Sequence, residues 1–214
     1  MKRIALFMHE PTCDAQCANG ILAALEGKYL FKLFGKNKME SDFFDDVDAV
    51  CFPGGIGDSD RFDRVLRSNV DGVRNYIKSG GRYIGICMGA YWADSYYFDL
   101  LTDIRAEQYI TQPGTCTRRP HPKAVEINWE GDIQKMYFYD GCAFVGDGGG
   151  NMEVVATYKS GHPAAIIQGR VGVIGVHPES EEYWYQDRKY LQPHWHKGHH
   201  HKLFSDFVDR LMEK

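Results

Sequence analysis

The chain has 214 residues, 43% of them apolar, with 25 Lys and Arg against 29 Asp and Glu and a formal charge of -4. Such a composition folds, and 23 Gly with 8 Pro are too few for a linker-like or collagen-like chain. The absence of a basic block argues against nucleic acid or an anionic membrane surface as partner, and no apolar run approaches the roughly 18 residues of a membrane span.

In chain order, residues 3–8 read as a buried first strand, because His9-Glu10 end the apolar run too early for a secretory signal. A helix is expected from about residue 14 to 25, strands over 29–34 and 47–52, and a helix over 70–78 stopped by Ser79-Gly80-Gly81. A strand over 82–87 follows at once. This alternation is that of βαβ units and a mainly parallel sheet. The second half carries shorter strands, over 124–129, 135–139, 153–158, 164–168 and 171–176, with hairpins expected around Gly141 and around Gly169-Arg170. The run 171–176 is apolar throughout and belongs in the centre of a covered sheet. Leu203, Phe204, Phe207, Val208, Leu211 and Met212 recur at helical spacing and predict a C-terminal helix packed on the body. With neither a repeat nor a linker, residues 1–214 are expected to form one domain. The cysteines at 13, 17, 51, 87, 116 and 142 are scattered without a Cys-x-x-Cys pair, which points to a reducing cytoplasm. Cys13 and Cys17, one helical turn apart, are read as packing residues.

Chemistry concentrates in three segments. Gly85-Ile86-Cys87-Met88-Gly89 follows an apolar strand and leads into a helical stretch. A strand-turn-helix elbow needs glycine on both sides of a nucleophile held in strained backbone, and a helix N-terminus favours a thiolate there. The alternative for Cys87 is a small buried residue before a glycine turn. His177-Pro178-Glu179 follows the strand over 171–176. Proline keeps the residue before it extended, so His177 and Glu179 can face one way, the carboxylate aiming the ring. The alternative is a polar turn. Pro53-Gly54-Gly55 follows the strand over 47–52, and the N–H of Gly55, beside Gly54, could form an oxyanion hole with that of Met88.

In order and character these three segments resemble the class I glutamine amidotransferase-like superfamily, and within it the biotin protein ligase N-terminal domain-like group. Residues 81–87, Ala90-Tyr91 and Ala164-Ala165-Ile166 extend the second likeness. The resemblance implies a flavodoxin-like α/β fold, a mainly parallel sheet with helices on both faces and added antiparallel hairpins, and a Cys-His-Glu triad at Cys87, His177 and Glu179. The expected activity is a cysteine-dependent, glutaminase-type hydrolysis of a small amide without cofactor or metal, the ammonia passing to a synthetase partner if it is used. The other reading is a metabolite-binding or regulatory module of the same fold. Ala90-Tyr91 stands where glutamine amidotransferases carry a His-Gln pair, and biotin ligation is not expected because no biotin-activating motif is present. Outside the triad, His194, His196, His199, His200 and His201 read as a solvated turn before the last helix, with metal binding as the alternative. Trp92, Tyr96, Tyr97 and Phe98 are expected in the core.

Overall fold

Residues 1–8, 15–55 and 60–214 are described by a computed structural model. In chain order they form β1 (Arg3–Phe7), α1 (Ala15–Ala24), β2 (Leu30–Phe34), β3 (Ala49–Phe52), α2 (Arg61–Val65), α3 (Val70–Lys78), β4 (Arg82–Ile86), α4 (Met88–Trp92) and β5 (Ile104–Gln108). Then follow β6 (Lys123–Trp129), β7 (Asp132–Phe138), β8 (Cys142–Gly146), β9 (Met152–Tyr158), β10 (Pro163–Gln168), β11 (Val171–Ile174), α5 (Glu182–Gln186) and α6 (His199–Met212). The expected start of the first helix at Asp14, and Cys13 with it, lie outside the described residues.

One sheet of nine strands runs β2-β1-β3-β4-β11-β10-β9-β6-β7, and β5 with β8 forms a second, two-stranded sheet. The first five strands are parallel and have the order of a flavodoxin-like fold. The next four are antiparallel, added beyond β11. The sequence explains the division. Strands β3 and β11 are buried at every residue, as continuous apolar runs covered on both faces must be. In β6, Val125, Ile127 and Trp129 are buried at a period of two, the pattern of a half-covered strand.

Helices cover both faces of the parallel half. A Cβ on Gly172 would lie 2.9 Å from Leu211 and from Phe207 of α6. Gly172 pairs with Ile84, and the next residue, Gly85, faces Gly89 of α4, so α6 and α4 lie on opposite faces. The core beneath them is aromatic-rich, with Phe7, Phe52, Trp92, Phe62 and Phe98 joined in a chain of ring contacts. Among the described residues no helix is long and apolar enough to cross a membrane.

Two expectations are corrected. The hairpin expected around Gly141 is absent, because β8 leaves the large sheet to pair with β5. Gly141 serves close approach instead: a Cβ there would sit 1.6 Å from the Gly175 carbonyl oxygen. The hairpin that does form joins β6 to β7 through Glu130 and Gly131, both at positive φ (51° and 95°), the turn whose twist suits paired strands. Tyr96, expected in the core, is 58% exposed, whereas Trp92, Tyr97 and Phe98 are buried.

Candidate active site

The C-terminal ends of β3, β4 and β11 meet at one edge of the sheet, where ligands bind in open α/β folds. Cys87 leaves β4 with φ 51° and ψ -103° and caps α4. Only strained backbone gives a cysteine those angles, and the surroundings hold it there. Its N–H donates to Ile174 O at 2.8 Å, and its carbonyl accepts from Ala90 and Tyr91 N–H at 3.0 Å each. The flanking glycines are obligatory, since a Cβ on Gly89 would lie 1.9 Å from Phe52 O and one on Gly85 2.5 Å from Gly89 O. The thiol is 8% exposed, with Sγ 3.7 Å from Tyr139 O.

His177 arrives from β11. Its N–H donates to Tyr137 O at 2.9 Å, and its ring packs edge-on against Tyr137 and Trp184. Across Pro178, Nδ1 meets Glu179 Oε1 at 2.9 Å, both side chains being buried. Burial alone would depress the imidazole. The charge of Glu179, the Cys87 sulfur and hydrogen bonds to the Cys17 and Cys87 side chains outweigh it and hold His177 well above the usual histidine range. The ring thus sits between one carboxylate and two sulfurs, all of which favour its charged form.

The oxyanion candidates lie close by. Gly54 packs so tightly that a Cβ would be 2.7 Å from Cys17 Sγ and 3.0 Å from His177 Cε1. Gly55 follows it, half-exposed, and Met88 is buried at the start of α4, directly after Cys87.

Cys17 of α1 is buried against Trp184, Tyr185 and Leu191, as expected of a packing residue, and it also lies beside the candidate site. Its sulfur, a ring nitrogen of His177 and a carboxylate oxygen of Glu179 all lie within 4.8 Å of one another. Gly20, one turn further along α1, was also missed. A Cβ there would be 2.3 Å from Glu179 O, so this glycine lets α1 press against the His177–Glu179 segment. A glycine inside a short helix, which costs about 1 kcal/mol against alanine, is the one signal that could have pointed there.

Of the C-terminal histidines, expected in a solvated turn, His199 is exposed, but His200 is buried and His196 and His201 are half-buried. His196 Nε2 and His201 Nε2 both donate to the carbonyl of Ser180, the residue after Glu179, at 2.9 and 3.0 Å. His196 Nδ1 accepts from Gly198 and His200 N–H at 3.1 and 3.3 Å, which places its proton on Nε2 and caps the start of α6. His200 is buried, stacks on His196, and reaches Gln134 of β7. Desolvation lowers His196 to about 4 and His200 to about 3, with the neighbouring histidine charges acting in the same direction. His196 and His201 thus clamp the chain directly after the His177–Glu179 segment.

Residues 10–100 match the family model described as biotin-protein ligase, N terminal. A comparison with curated proteins finds no significant match. Among solved structures, a crystal structure of a glutamine amidotransferase is 18% identical over 99% of both chains with a TM-score of 0.65. A chain of PurLQS from Thermotoga maritima is 17% identical over 98% of this chain and 99% of that one, TM-score 0.66. A further glutamine amidotransferase from Thermotoga maritima is 12% identical over 100% and 99%, TM-score 0.65. The chain thus has the class I glutamine amidotransferase-like fold, and its first half has the sequence character of the biotin protein ligase N-terminal group.

Proposed function

We propose that the protein is a cysteine-dependent, glutaminase-type hydrolase of a small amide, with Cys87 as nucleophile, His177 as proton carrier and Glu179 as the carboxylate that orients it. The observation carrying this reading is the meeting of a strained cysteine with a buried histidine whose far side is held by a carboxylate. Packing alone gives no reason to hold Cys87 at φ 51°.

In the reaction, the Cys87 thiol passes its proton to His177 as the sulfur attacks the amide carbonyl carbon, whose oxygen becomes an oxyanion held by the N–H groups of Gly55 and Met88, with Gly54 allowing close approach. The C–N bond breaks as His177 gives its proton to the nitrogen, and ammonia leaves a thioester on Cys87. Water then adds to that thioester as His177 takes its proton, and the acid departs as His177 returns that proton to the sulfur and the thiol is restored. Tyr91, in the place of a residue of the His-Gln pair, bonds through its hydroxyl to Asp140 O at 3.2 Å, so the amide is recognised by other groups than in glutamine amidotransferases. The likeness to PurLQS supports a synthetase as receiver of the ammonia.

Ammonia release from a panel of small amides tests the proposal. Activity on at least one, lost in Cys87→Ala together with thioester trapping, is expected. Undiminished release in that variant eliminates Cys87 as the nucleophile.

A further inference from the structure

We infer that Cys17, His177 and Glu179 form a binding site for a zinc-like divalent cation, and that a cation seated there silences Cys87. The three donors come from two separate segments, α1 and the turn after β11, and their ligand atoms lie within 4.8 Å of one another. A tetrahedral zinc ion holds its donors about 3.2–3.8 Å apart, so rotamer adjustments of about 1 Å close the set. Cys17 is 4% exposed, His177 3% and Glu179 0%. One oxygen, Glu179 Oε2, is buried without a hydrogen-bond partner among the described residues, a carboxylate atom left free for a cation. A Cβ on Gly54 would crowd both Cys17 Sγ and His177 Cε1, at 2.7 and 3.0 Å, and the glycine spares the two ligands that clash. Thiolate, imidazole and carboxylate together select zinc over calcium or magnesium, which prefer all-oxygen shells.

Binding exchanges the Cys17 thiol proton, and any proton on the ligating ring nitrogen, for the metal; the protons go to solvent. His177 is then spent as a ligand and can neither accept nor return a proton for Cys87. This second half rests on the proposed hydrolase reading, whereas the site itself rests on geometry alone.

The test titrates the full chain with zinc alone against a chromophoric chelator, with metal analysis after desalting and the rate of iodoacetamide labelling at Cys87 read in parallel. One zinc per chain is expected, with Cys87 labelling slowed at least about tenfold relative to each protein's own zinc-free rate and restored by a chelator. Cys17→Ser and Cys17→Ala should each weaken zinc at least about tenfold, and His199→Ala should not. In the unaltered chain, cobalt should give a thiolate charge-transfer band, a readout independent of whether either variant folds. Wild-type zinc affinity in the Cys17 variants, loss of zinc in His199→Ala, or cobalt without that band overturns the site. Full-speed Cys87 labelling with zinc bound overturns the silencing. A sluggish Cys87 in the zinc-free chain refutes the hydrolase reading and leaves the metal result standing.

Discussion

Replacing Cys87 by glycine and by alanine separates strain from chemistry, because both variants lack the sulfur. At an unstrained buried position, alanine to glycine costs about 0.5–1 kcal/mol in backbone entropy and about 0.8 kcal/mol for the lost methyl group. Position 87 is not unstrained. Its φ of 51° and ψ of -103° resemble the first central residue of a type II′ turn, where glycine is the usual occupant. Releasing that strain returns about 1–3 kcal/mol. The balance is Cys87→Gly more stable than Cys87→Ala by about 0.5 kcal/mol, where an ordinary site would favour alanine by about 1.5 kcal/mol. Urea denaturation with an unchanged m-value reads the difference, and melting temperatures should follow within about 2 °C. A glycine variant less stable than the alanine variant by about 1.5 kcal/mol would mean that residue 87 is relaxed and the elbow serves packing.

Other consequences follow from the contacts around the site. Gly20→Ala forces a Cβ to within 2.3 Å of Glu179 O and should cost about 1–3 kcal/mol while slowing Cys87 alkylation; wild-type stability and reactivity together would deny the contact between α1 and the His177–Glu179 segment. His200 is lowered in the folded chain to about 3 by burial, with His196, His199 and His201 acting with it and Asp132 against it, so the unfolded chain binds its proton first, near pH 6.5. Stability contributed by neutral His200 is therefore present above about pH 6.5 and lost as pH falls toward its folded value. The stability advantage of wild type over His200→Gln should shrink by about 2 kcal/mol between about pH 7.5 and pH 5, and an unchanged difference would show His200 to be solvated. Asp94, buried, accepts from Arg105 Nε at 2.9 Å and from Ala106 N–H at 2.8 Å, so Asp94→Ala should destabilise by about 2–3 kcal/mol and fray β5; a loss under 0.5 kcal/mol would contradict this anchoring.

What could be read from sequence alone was local. Gly85-x-Cys87-x-Gly89 at the end of an apolar strand carries its own geometry, because the glycines answer to backbone contacts within a few residues and with the neighbouring strand. His177 and Glu179 were legible because Pro178 restricts the chain between them. The parallel half of the sheet followed from apolar runs of strand length alternating with helical patterns. By contrast, β5 and β8 escaped, since the exposed Arg105 and Glu107 of β5 and the glycine-rich surroundings of β8 do not mark strands, and only their mutual pairing makes them so. Cys17 and the clamp at Ser180 escaped for the same reason: each depends on how α1 or α6 meets a loop more than 15 residues away. Histidines in a row look solvated until a distant carbonyl claims them.

Competitive labelling of Cys87 and Cys116 in one sample bears most directly on whether the buried sulfur is a nucleophile. Cys116 is exposed and Cys87 is 8% exposed, so accessibility alone predicts that Cys116 reacts first. With His177 and Glu179 activating it, Cys87 should react with iodoacetamide near neutral pH at least about tenfold faster than Cys116, and fall below it in His177→Gln. Labelling ordered by exposure, and indifferent to residue 177, would contradict the account.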